Sequence, residues 1–140
     1  MTTVLELVDA ALREHAPAAL EVCGLLDQAT KLRALPELTP SNAGYASDIV
    51  HVAFTVARRN AHNAAKTGDD DFKVKEAMIA CHRFALAACA CHAAADACAA
   101  IHTSRKMPSP GLYLSAAKTC ALEAEGHARE VCVTKTKVCP

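Results

Sequence analysis

The sequence predicts an all-α protein, an up-and-down bundle of four main helices with the first helix split or kinked near Pro17. Three observations predict it. Apolar residues recur at helical spacing through long stretches of the chain. Caps and stops fall at Pro36, Ser47, Gly68, Asp71, Ser109 and Pro110. No segment shows the apolar–polar alternation of a half-buried strand, and Ala dominates a composition that is 52% apolar but only 4% aromatic.

Each element has its own signal. In the first segment Leu5, Leu7, Val8 and Leu12, then Leu20, Cys23, Leu26 and Leu32, follow a helical repeat. Pro17 interrupts it, because proline lacks the N–H that an interior helical position donates. The expectation is a short helix to His15 and a second from Pro17 to Leu35, stopped by Pro36. Residues 36–46 carry two prolines, Ser, Asn and Gly and read as a loop. Ser47 then caps a helix over Asp48–Lys66 that ends at Gly68. Asp69, Asp70 and Asp71 cap the next, over Phe72–Arg105, with a kink or end possible near Ala99–His102. Ser109 and Pro110 open the last helix, to about Val133. Residues 1–134 form one domain, and 135–140 a short basic tail.

Composition excludes several functions. Fifteen basic and fifteen acidic residues give no net charge, whereas nucleic-acid binders carry a basic surplus. The N-terminus has acids where a signal peptide has bases. The most apolar segment contains Arg83, Asp96 and three His, a poor membrane span. These features place the chain in the cytosol, where eight cysteines are more often thiols or ligands than disulfides.

Chemistry concentrates in Cys81–His102, CHRFALAACACHAAADACAAIH, with four cysteines and three histidines on one helix. Ala77, Cys81, Phe84, Ala88, Cys91, Ala95, Cys98 and His102 share a broad face. Cys98 and His102 are one turn apart. On the last helix Tyr113, Ala117, Cys120, Ala124, His127 and Val131 form a second stripe. Two inward faces bearing Cys and His suggest a soft-metal site for Cu(I) or Zn(II), with Cys81, Cys91, Cys98, His102, Cys120 and His127 as ligands. The competing reading is packing, since free Cys is among the most buried residue types.

Other constellations fall short. Cys89-Ala90-Cys91-His92 is one residue too short for haem attachment. Glu123 and His127 lack the spacing of a di-iron pair. No phosphate loop or nucleophile motif is present, so no enzyme activity is expected. Arg58, Arg59, His51 and His62 could serve a phosphate or a partner-facing surface.

Cys81, Cys91, Cys98 and Cys120 resemble the core cysteines of cytosolic copper-storage proteins, four-helix bundles, although that family's repeated C-x-x-x-C steps are not found here. HAAADACAAIH (92–102) with YLSAAK (113–118) is similar to a helical family of bacterial putative immunity proteins. The first resemblance implies metal binding. The second implies a protein-interaction module that neutralises a toxin.

Overall fold

A computed structural model describes residues 2–65 and 71–138. They form α1 (Val4–Ala10), a π-helical turn (Ala11–His15), α2 (Ala16–Val22), α3 (Leu26–Arg33), α4 (Ala43–Ala65), α5 (Asp71–Ser104) and α6 (Gly111–Val138). Among the described residues there is no strand. The stop expected at Gly68, the Asp69 and Asp70 part of the cap, and Cys139 lie outside them.

The N-terminal segment corrects two expectations. The chain does not break at Pro17. Ala10, His15 and Ala16 all keep right-handed helical angles, and α1 runs into α2 through the π turn. There the Ala16 N–H reaches the Ala11 carbonyl, five residues back. In an α-helix the Pro17 ring would clash with the carbonyl of Arg13, and the widened turn relieves that crowding. The break comes instead at Gly24, at a φ of 80°. The Gly24 N–H donates to Glu21 O (2.9 Å) and the Leu25 N–H to Leu20 O (2.9 Å). That double closure is the Schellman ending, which favours glycine in the left-handed region. α3 then starts a new direction.

α4 begins earlier than Ser47. The Thr39 N–H donates to Asn42 Oδ1 (2.8 Å) and the Asn42 N–H to Thr39 Oγ1 (3.2 Å), and the Asn42 carbonyl accepts from Ala46. Ser47 sits inside the helix, and its hydroxyl donates to the Ala95 carbonyl of α5 (3.0 Å). α5 runs unbroken through Ala99–His102, and its 34 residues span about 50 Å. α6 begins at Gly111, with the Leu114 N–H on Pro110 O (3.0 Å). It continues to Val138, so the first part of the expected tail is helical.

α5 is the hub. It packs against α4, α6 and the α1–α2 rod, and α3 rests on the rod and on α4. From Leu86 to Ile101 only Cys89, His92, Asp96 and Ala99 are exposed. The single inward face expected of α5 is therefore wrong, because three neighbours cover it. Small residues allow this: Ala43, Ala46, Ala53 and Ala57 of α4 meet α5, and Ala117, Ala121, Ala124 and Ala128 line α6. Lys75–Ser104 is long and apolar enough to cross a membrane, but 61% of its most apolar window is buried inside the protein.

The 34–42 loop is tied down by Asp9. Its carboxylate takes a bidentate pair from Arg13 (2.9 and 2.9 Å) and accepts the Leu38 N–H (2.9 Å). Leu35 and Leu38 are thereby held in the core.

Candidate functional site

The six residues expected to ligate metal disperse. Cys91 and Cys98 are fully buried in the alanine core. Burial pushes both thiols up to about 12, with Cys23 adding to the shift at Cys91 and Asp9 at Cys98. Cys81 is half-buried. Cys120 is also half-buried, raised by desolvation and then by the charges of Asp96 and Glu123. His102 is half-buried against the first turn of α4. A Cβ at Gly44 would stand 3.0 Å from its Nδ1. His127 is half-buried on another face, by the cleft described next. Among the described residues no group of three or more His, Cys, Asp or Glu is placed to hold a metal ion, and Cys23, Cys81, Cys89, Cys91, Cys98 and Cys120 are free thiols.

One cysteine has an unusual neighbour. Cys23, the C-cap of α2, is pushed up to about 11 by burial, an effect opposed by the charge of Arg83. Nε and Nη2 of Arg83 are buried without a hydrogen-bond partner. A cation beside a helix C-terminus is favoured by the helix dipole.

Two surface features stand out. The first is a cleft of about 410 Å³ between α4, α5 and α6. Ala61, Ala85, Ala88 and Ala93 form its apolar surface, and Arg58, Cys89, His92, Asp96, Glu123 and His127 supply its polar groups. Phe54 bridges the helices: its ring centroid lies 5.0 Å from that of His92 and 5.5 Å from that of His51. His92 Nδ1 is 3.5 Å from Asp96 Oδ2, beyond ordinary hydrogen-bond length. His127 Nδ1 is buried and unpartnered. Cys89, His92 and Asp96 were not singled out as a set from sequence. Their signal was present, because they step by three and four residues through an otherwise apolar helix.

The second is an apolar groove of about 480 Å³ between α3 and α4, lined by Gln28, Lys31, Ala34, Leu35, Pro36, Tyr45, Ile49 and Val52. A smaller depression continues it, with Leu25, Leu26 and Val56. Tyr45, Ile49, Val52 and Val56 recur every three or four residues, so α4 carries an outer apolar stripe besides the one it buries on α5. Leu26 is 60% exposed, Tyr45 61% and Val52 52%. These large apolar side chains are open to solvent beside the groove.

No protein-family model, curated protein or solved structure matches this chain.

Proposed function

We propose that this protein is a non-catalytic helical module that acts by binding another protein, with its buried cysteines serving as packing residues. Its helices suit an up-and-down bundle of the α1–α2 rod, α4, α5 and α6, with α3 as an added wall. The observation that carries the reading is the α3–α4 groove. Its stripe from Tyr45 to Val56 is about 16 Å long at the helical rise, enough for three turns of an amphipathic helix from the partner. Gln28 and Lys31 give the groove a polar rim. The similarity of residues 92–102 and 113–118 to bacterial immunity proteins makes a toxin domain the first partner to test.

The test is site-specific photo-crosslinking in the native host, with benzoyl-phenylalanine at position 45 or 52 and at exposed Thr119, outside the groove, as control. The expected result is one polypeptide captured at 45 and 52 but not at 119, and its purified form bound at least tenfold more weakly by Val52→Asp. Equal capture at all three positions, or unchanged affinity for the variant, would overturn the reading.

A soft-metal role keeps one supporting observation. Cys23 lies close enough to Cys91 to raise its pKa further, and two thiolates suffice for a linear Cu(I) site. Competition against a Cu(I) chelator, lost in Cys23→Ser/Cys91→Ser, is the expected outcome of that alternative.

A further inference from the structure

We propose that in the free protein the α3–α4 groove is covered by the same groove of a second copy of this chain, in a twofold dimer that opens before a partner helix docks. The inference rests on the reading of that groove as a protein-binding surface, and it names the surface's first occupant.

The arrangement of the two walls comes first. Gly24, Leu26 and Asp27 share a depression with Val56, whereas Ala34 and Pro36 share the larger one with Tyr45. α3 therefore runs antiparallel to α4, and the surface has two unlike ends. At the Val56 end Leu26 stands 60% exposed. At the Tyr45 end lies the hollow of about 480 Å³, lined by Ala34, Leu35 and Ile49 among others. A twofold axis crossing α4 at Val52 exchanges these ends. It lays Leu26 of each copy over the hollow of the other and brings the two Val52 side chains together at the centre. A twofold axis along the groove would instead stack hollow on hollow and leave both empty. An isologous contact of the first kind uses one patch on both copies, the usual geometry of homodimers.

Charge fits the same operation. Asp27 and Lys31 stand one turn apart on α3. Asp48 and Arg59 flank the stripe on α4, within about 60° of Tyr45 around the helix. All four are exposed, and none has an ion-pair partner among the described residues. Each wall thus carries an acid toward one end and a base toward the other. Antiparallel pairing of α4 with its copy sets Asp48 opposite Val56 of the second chain, one turn from its Arg59. The same rotation sets Asp27 beside Lys31 of the second chain. Every acid meets a base. Rim pairs of this kind fix register more than affinity, and the apolar stripe supplies the attraction. A chain with no net charge adds no long-range repulsion between copies.

The experiment is sedimentation velocity of the full, reduced protein over a hundredfold range of concentration. A monomer–dimer equilibrium is expected, with mass rising from 14.7 kDa toward twice that value. Leu26→Asp and Val52→Asp should each raise the dimer dissociation constant at least tenfold, and Thr119→Asp, on α6, should leave it unchanged. Asp48→Arg should weaken the dimer several-fold, and Asp48→Arg/Arg59→Asp, which exchanges the pair, should restore it. These positions are exposed, so the variants are expected to fold, and circular dichroism checks each one. A monomer at every concentration, a dimer indifferent to Leu26→Asp and Val52→Asp, or a charge exchange that restores nothing would overturn the proposal. The two readings fail separately. A monomer that still binds the captured partner through Val52 would overturn the dimer and keep the groove. A dimer lost in Val52→Asp while partner affinity stays unchanged would keep the dimer and overturn the groove as the partner's site.

Discussion

Cys91 and Cys98 hold their protons because the alanine core offers no stabilisation for a thiolate. Their ordinary value is 9.0, and both stand at about 12 in the folded chain. A raised folded value means that stability is fully present below pH 9. It is lost as pH rises from 9 toward 12, because only the unfolded chain releases these protons there. Urea melts from pH 7 to 11 should show that decline, and Cys91→Ala/Cys98→Ala should flatten it. Reactivity follows the same logic. His102 makes a second case. A methyl group at Gly44 would press on its ring, with contacts of 3.0–3.3 Å. Gly44→Ala should cost about 1–2 kcal/mol from overpacking, net of helix propensity. With His102→Ala in place, the same change should instead stabilise by about 1 kcal/mol. A double-mutant cycle in urea measures the coupling, and additive effects would show that the ring yields freely.

At the scale of elements, Asp9 holds the 34–42 loop to α1. Asp9→Ala leaves the Leu38 N–H without its acceptor and should destabilise by about 1–3 kcal/mol. Asp9→Asn keeps an acceptor oxygen and should lose less. Amide exchange at Leu38 reports the difference directly. The same elements show what the sequence can reveal. The loop after Pro36 and the start near Pro110 were legible, because proline punctuates a chain locally. The break at Gly24 was hidden, since Leu20, Cys23 and Leu26 keep helical spacing across it while Gly24 turns left-handed. Pro17 misled in the opposite sense, because a π turn absorbs a proline without breaking the rod, and no residue pattern announces one. Ser47 looked like a cap but spends its hydroxyl on Ala95 of α5, a long-range contact that local rules cannot see.

At the scale of the molecule, the position of α5 decides where chemistry can sit. Covered by α4, α6 and the rod, it buries Cys91 and Cys98 and, from Leu86 to Ile101, exposes only the stripe of Cys89, His92, Asp96 and Ala99. The sequence showed that Cys and His were mounted on one helix. It did not show which face met solvent, because an alanine helix with apolar residues all round has little polarity to orient it. His127 alone among the six expected ligands reaches the cleft, while His102 turns to α4. The surface carries two depressions on opposite sides of α4: the apolar α3–α4 groove and the cleft against α5 and α6.

The central claim is that binding resides in the α3–α4 groove and not in the thiol core. The most direct measurement is the affinity of the photo-captured partner for two variants by titration calorimetry. Val52→Asp places a charge in the groove and leaves the core intact. Cys91→Ser alters the core and leaves the groove intact. The account predicts at least a tenfold loss for Val52→Asp and no change for Cys91→Ser. Unchanged affinity for Val52→Asp together with a loss for Cys91→Ser would contradict it.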